Sequence, residues 1–324
     1  MLSGRSKDLI FFFERSLQSP KMMSPQFLSY PSKMKIYHYK PTQGFVNFGD
    51  DLNPWLWSKL LPGIIDNNES QSFVGIGTLI NDHIVRRTSN SEHRIVFGTG
   101  VGYGKSIPKL DSSFHIYCLR GPLSAKALGV SSSLAIVDGA FLARQVYQYG
   151  KGKEYNYSYM PHFELLGKSW KMVCEELGFG YIDPRDSVEN VLDKIDETEI
   201  LLTEAMHGSI LADAFRIPWI PIVTTPNILP FKWQDWCNSI GLEYQPNNIS
   251  RLHDVGDKRD LLSPLREARG WLRRRDAAAS LKKIATTVKP CLSTDKVAED
   301  LTEQLSERLD CFRADYAAGK FASD

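Results

Sequence analysis

Glu199-Ile200-Leu201-Leu202-Thr203-Glu204-Ala205-Met206-His207-Gly208-Ser209-Ile210-Leu211-Ala212-Asp213-Ala214-Phe215 decides how the chain is read. The apolar run Glu199–Thr203 has the length and composition of a strand buried on both faces, which belongs in a parallel sheet. Glu204–Gly208 interrupts it as a loop holding a histidine beside a glycine, and Ser209–Phe215 reads as the helix that follows. The same strand-loop-helix unit recurs on both sides. Upstream, Tyr157–Met160 runs into Pro161-His162-Phe163, a helix spans about Leu166–Leu177, and Gly180–Asp183 ends in Pro184-Arg185. Ser187 with Asn190 caps an amphipathic helix through Val188, Val191, Leu192 and Ile195, and Trp219–Val223 is a further strand. In the first half, Lys35–Tyr39, Ser72–Ile76, Arg94–Gly98, Phe114–Leu119 and Leu134–Val137 are strand candidates, each running into turn residues or a helix start. In open parallel sheets ligands bind at the carboxyl ends of strands, so these loops should build one cleft.

With 324 residues, 42% hydrophobic and 24% charged, the chain is long enough for two such domains. The expected division is an N-terminal extension over 1–33 without ordered structure, α/β domains over 34–150 and 151–257, and a charged helical segment over 258–324. The apolar run Leu9–Phe13 is far short of a membrane span and lacks a cleavage site behind it, so no leader or anchor is expected, and the first strand pattern starts at Met34. In the C-terminal segment, Leu301, Leu305, Leu309 and Phe312 recur at helical spacing and should pack on the body. Arg273-Arg274-Arg275 reads as a solvated helix face or as a contact for anionic lipid.

Five cysteines, Cys118, Cys174, Cys237, Cys291 and Cys311, form neither a disulfide framework nor a zinc spacing, which fits a reducing, cytoplasmic compartment. A formal net charge of +1 gives no field for nucleic acid.

Several loop residues have chemistry to offer. Asp50, within Asn47-Phe48-Gly49-Asp50-Asp51-Leu52-Asn53, can cap a helix or hold a substrate hydroxyl. Gly98-Thr99-Gly100-Val101-Gly102 lets backbone approach a phosphate or sugar closely, yet has no P-loop lysine and no dinucleotide fingerprint. Arg120 at a strand end offers a planar fork to a carboxylate or phosphate, or a salt bridge to a neighbouring loop. His207 and His162 sit where an imidazole can move a proton or bind an anion, or serve structure alone. Lys232 lies between aromatic residues in Phe231-Lys232-Trp233-Gln234-Asp235-Trp236, a phosphate cation with a sugar platform or an aromatic surface patch. No covalent nucleophile arrangement and no metal-ligand spacing accompanies them.

Taken in order, Asn47-Phe48-Gly49-Asp50, Gly75-Ile76-Gly77, Phe97-Gly98-Thr99-Gly100, Leu119-Arg120-Gly121-Pro122, Asp138-Gly139-Ala140, Met160-Pro161-His162-Phe163 and Met206-His207-Gly208-Ser209 resemble the polysaccharide pyruvyl transferases. The match runs from about Met34 to Leu242 and is similar to the branch acting on bacterial exopolysaccharide of the succinoglycan type. The resemblance implies two Rossmann-like domains in a GT-B-like arrangement with a C-terminal helical appendage. It implies transfer of a pyruvyl group from phosphoenolpyruvate, with no other cofactor, to a lipid-linked oligosaccharide acceptor at the cytoplasmic membrane face, giving a cyclic ketal. By resemblance His207 is the general acid or phosphoenolpyruvate ligand and Asp50 the base or hydroxyl ligand. Arg120 is the anion clamp, His162 and Lys232 touch phosphate, and Asn47 and Gly100 complete the substrate contacts. Some relatives carry an arginine two residues before the histidine; Ala205 stands here, so that cation is either missing or supplied by Lys232 or Arg185. The alternatives are a nucleotide-sugar-dependent glycosyltransferase of the same fold and a non-catalytic polysaccharide-assembly protein.

Overall fold

A computed structural model describes residues 33–39, 47–252 and 263–322. The extension expected over 1–33 lies, apart from Lys33, outside these residues. The first half runs β1 (Met34–Tyr37), α1 (Phe48–Leu60), β2 (Ile65–Asp66), β3 (Gln71–Val74), α2 (Ile84–Arg87), β4 (His93–Phe97), β5 (Phe114–Cys118), α3 (Pro122–Leu128) and α4 (Ala143–Val146). The second runs β6 (Tyr155–Met160), α5 (Lys168–Leu177), β7 (Gly180–Tyr181), α6 (Val188–Asp196), β8 (Thr198–Thr203), α7 (Met206–Ala214), β9 (Trp219–Val223), α8 (Pro230–Ser239) and β10 (Asn247–Asn248). Two long helices follow, α9 (Ser263–Thr287) and α10 (Asp295–Ala317).

The strands form two five-stranded sheets in the orders β2-β1-β3-β4-β5 and β10-β9-β8-β6-β7, with every pairing parallel. Parallel neighbours need a crossover to return the chain, and helices covering both faces leave central strands apolar throughout. Phe73, Val74, Ile95, Val96, Phe97, Leu201, Leu202, Ile220 and Ile222 are accordingly buried. The chain is therefore the mixed α/β protein its alternating pattern implied.

Two local expectations are corrected, and two short strands were not foreseen. Leu134–Val137 is not a strand: after a 3-10 turn over Ser132–Leu134 it makes a single bridge, Leu119 to Ala135, before entering the core at Ile136 and Val137. β2 and β10 are two-residue edge strands, too short to show any alternation. Helix α7 begins at Met206 instead of Ser209, because Thr203 turns the chain early: its Oγ1 accepts from the Ala205 amide at 2.9 Å. His207 consequently stands in the first helical turn and not in a loop.

The C-terminal helices are layers of both sheets. Ala277, Ala278, Leu281 and Ala285 of α9 join Tyr159, Trp170, Leu202 and Ile220 over the second sheet. Ala298, Leu301, Leu305, Leu309 and Phe312 of α10 enter the cluster holding Trp57, Phe73 and Phe97 under the first. Between them, buried Asp213 accepts from Trp219 Nε1 (3.0 Å) and Ser293 N (2.9 Å), while Trp219 and Cys291 exchange backbone hydrogen bonds of 2.9 and 2.7 Å. Phe312→Ala should lower the free energy of unfolding in urea by about 3–5 kcal/mol. A loss below ~1 kcal/mol, the range of a surface substitution, would show that α10 is peripheral.

Candidate functional site

The carboxyl ends of both sheets open on a cleft of about 510 Å³. Tyr37 at the end of β1, the first turn of α1, Thr78 after β3 and Tyr103 after β4 form one wall. Met160 at the end of β6, His162 just after it, Pro184, His207 in α7 and Lys232 in α8 form the other.

His207 approaches α1 so closely that a Cβ on Gly49 would lie 2.3 Å from its Nδ1. Its Nε2 faces Oδ2 of Asp138 at 4.0 Å, and neither atom has a hydrogen-bond partner. Asp138 is held there by capping the 3-10 turn Gly139–Leu142, its Oδ1 accepting from the Ala140 amide at 3.0 Å. Burial drives both groups towards neutrality. The imidazole falls to about 3, helped by the positive charges of Lys232 and Arg120, and the carboxyl rises to about 7 despite the Ala140 bond. At rest His207 is a neutral imidazole with a protonatable carboxyl behind it.

Across the cleft, Asn47 caps α1, accepting weakly from Gly49 N at 3.4 Å and donating from Nδ2 to Asp50 Oδ2 at 2.6 Å. The buried amide of Asn53 secures this turn to the loop after β3, accepting from Ile76 N (2.7 Å) and donating to Ile76 O (3.0 Å). Burial lifts the Asp50 carboxyl to about 7 against the opposing Asn47 hydrogen bond. Lys232 is lowered to about 8 by burial and then by the charge of Arg120, with Asp50 and Glu164 opposing. Its ammonium lies 5.1 Å from the centroid of the Tyr103 ring. His162 lines the same wall, its backbone N–H donating to Oε2 of Glu204 at 3.3 Å; burial, then Lys232, lowers its ring to about 4. Glu204 also accepts from Tyr159 Oη (3.0 Å) and Thr224 N (2.7 Å), tying the ends of β6, β8 and β9 together.

Three expected contacts lie elsewhere. Arg120 has no accessible surface: Nε donates to Asp235 Oδ2 at 3.0 Å, Nη1 to Thr78 Oγ1 at 2.7 Å and Gly77 O at 3.2 Å, and Nη2 to Val101 O at 3.2 Å. Its fork is closed around protein groups, the salt-bridge alternative that the sequence left open, and it backs the wall that Thr78 presents to the cleft. Gly100 lies behind that wall too; a Cβ there would be 2.3 Å from the guanidinium carbon. Arg185 is half exposed and turned onto its near neighbour Asp183, Nε to Oδ1 at 3.0 Å and Nη2 to Oδ2 at 2.6 Å, so only Pro184 of that turn faces the cleft. Nor do Trp233 and Trp236 form a platform, since both are fully buried against Trp219.

Sequence reasoning missed Tyr103, Thr78, Glu164, His83 and Arg87, all lining the cleft, and it left Asp138 without a role. His83 and Arg87 belong to a four-residue helix and its cap, with no periodic signal to expose them. Among the described residues no group of His, Cys, Asp and Glu could hold a metal ion.

Two parallel sheets whose strand ends share one polar cleft define an α/β protein with a site where the strand-end loops meet. The family model described as polysaccharide pyruvyl transferase matches residues 32–226. The chain is also 39% identical over 220 residues to the succinoglycan biosynthesis protein ExoV of Rhizobium meliloti (strain 1021), covering 67% of this chain and 68% of that one. It belongs to the polysaccharide pyruvyl transferase family.

Two substitutions check this geometry. Gly49→Ala favours helix α1 by propensity, roughly 1 kcal/mol, yet must displace His207, so folding should persist while transferase activity falls by ~10²-fold or more. Unchanged activity would show that the placement of His207 is immaterial. Asp235→Ala strands a buried guanidinium and should cost about 3–5 kcal/mol in denaturant unfolding; a cost under ~1 kcal/mol, that of an exposed pair, would show that the pair is not structural.

Proposed function

We propose that this protein transfers a pyruvyl group from phosphoenolpyruvate to a sugar of a bacterial exopolysaccharide repeat unit, forming a cyclic ketal. The convergence of His207, Asp50 and Lys232 on one cleft is the observation that carries this reading. Family membership and the likeness to a succinoglycan biosynthesis protein supply the reaction class and the kind of acceptor. The acceptor is lipid-linked and the reaction cytoplasmic, in a GT-B-like pair of Rossmann-like halves. No other cofactor and no nucleic acid takes part. Among the described residues no helix is long and apolar enough to cross a membrane.

In the reaction the methylene carbon of phosphoenolpyruvate gains a proton and its second carbon becomes oxocarbenium-like. One sugar hydroxyl adds to that carbon and gives up its proton, the carbon–oxygen bond to phosphate breaks with its electrons leaving on phosphate, and a second hydroxyl closes the ketal, losing its proton. Lys232, with Arg87 at the rim, supports the anionic donor. The donor's charge offsets the cations that depress His207, so its basicity rises when the cleft is filled, and ionised Asp138 behind it stabilises the imidazolium. His207 then delivers the proton to carbon. Asp50, held by Asn47, takes the proton of the attacking hydroxyl, and His162 lies beside Lys232 on the phosphate side.

The test is phosphate release from phosphoenolpyruvate with lipid-linked oligosaccharide, following the sugar by mass. Acceptor-dependent release with the mass gain of a pyruvyl ketal, abolished in His207→Ala, is expected. Consumption of a nucleotide sugar instead would make the protein a glycosyltransferase, and turnover indifferent to His207→Ala would remove that residue from the chemistry. As a base Asp50 must be ionised, which needs pH above about 7, and Lys232 must keep its proton, which needs pH below about 8. The rate should therefore trace a bell with a narrow top between those values. Asp138 ionises over the same range, so the acid limb belongs to both carboxyls; Asp50→Asn should lower the plateau rate by ~10²-fold or more, and an undiminished plateau assigns the base elsewhere.

A further inference from the structure

Helix α9 has two unlike halves. From Ala277 onward one face is buried on the second sheet, whereas no residue from Leu265 to Asp276 is buried. In that first half two leucines point away from the protein: at about 100° per residue, Leu272 lies half a rotation from Leu281 and Leu265 nearly so, while Trp271 lies on the flank between them and the buried face. Leu265, Trp271 and Leu272 are 51%, 48% and 53% exposed. Two leucines aligned two turns apart on an outward helix face, with a half-exposed tryptophan beside them, make an apolar patch of the kind that marks an interaction site.

Their surroundings select that partner. Arg269, Arg273 and Arg275 are exposed around them, Arg275 stacks over the Trp271 ring at 4.8 Å, and Lys282 and Lys283 extend the same outer side, with Asp276 the single acid between Arg269 and Lys283. In a chain whose formal net charge is +1, this is a concentrated positive field. A helix with an apolar ridge, a tryptophan and a flanking row of arginines matches the boundary between phospholipid headgroups and acyl chains.

We propose that the first half of α9 docks the protein on an anionic phospholipid surface. Leu265, Trp271 and Leu272 enter the headgroup boundary while the arginines and lysines pair with lipid phosphate. Docking requires neither donor nor acceptor, so it stands or falls apart from the pyruvyl transfer.

The full chain is sedimented with vesicles of phosphatidylcholine alone or of equimolar phosphatidylcholine and phosphatidylglycerol. Binding to the anionic vesicles only is expected, weakening as salt rises and dropping roughly fivefold for each cation removed. Arg273→Glu with Arg275→Glu should abolish it. Leu265→Ser with Leu272→Ser should weaken it while leaving salt sensitivity in place. Both double variants should keep the wild-type circular dichroism and the turnover of acceptor presented in detergent, since neither touches the cleft. Equal binding to both vesicles, binding to neither, or variants that bind as wild type would overturn the proposal. So would a dimer in sedimentation equilibrium that the same substitutions dissociate without changing vesicle binding, because the ridge would then meet a second copy.

Discussion

The ion pair between Arg120 and Asp235 joins a loop of the first sheet to a helix packed beside the second. A guanidinium and a carboxylate with no accessible surface are tolerable only when both are fully engaged, and here they are: Asp235 also takes the amide and hydroxyl of Ser124. Arg120 in turn fixes the Gly77–Thr78 and Val101 carbonyl side of the wall. The pair thus sets the spacing across which Asp50 and His207 face one another. Its positive end also lowers the basicity of both Lys232 and His207, so one contact governs geometry and protonation together.

The rest of the site follows from close approach. Gly49 admits His207 against α1, and Asn53 holds the entrance of that helix to the loop after β3. Burial mutes the charges of the resting centre, leaving a neutral imidazole, two carboxyls that ionise near 7 and a lysine of reduced basicity. Such a cleft waits for a multiply charged ligand to set its protonation, because the free protein gives these groups little solvent with which to ionise.

The sheets were legible because parallel strands covered on both sides must be apolar along their length, as Leu201-Leu202 and Ile95-Val96-Phe97 are. His207, His162, Lys232, Asn47 and Asp50 were legible because each interrupts or follows such a run, and all five line the cleft. Arg120 has the same local signature, yet its partner is 115 residues away, and no local pattern can tell a fork aimed at a ligand from one aimed at a buried carboxylate. Trp233 and Trp236 misled for a related reason: neighbouring Lys232 and Gln234 gave them a surface setting, while helical spacing turned both indoles inward.

The amide of Gln71, in the first sheet, donates to the carbonyl of Phe321, 250 residues further on, at 2.9 Å. The first sheet therefore keeps the part of its apolar face around Phe73 and Tyr117 uncovered until the second half has been made and α10 has come back to it. Contacts of such sequence separation slow folding and lengthen the life of sticky, half-made species. For this protein the hazardous interval lasts until α10 has docked, and a chaperone that shields the first sheet until then would matter more to its yield than any gain in the stability of the finished fold.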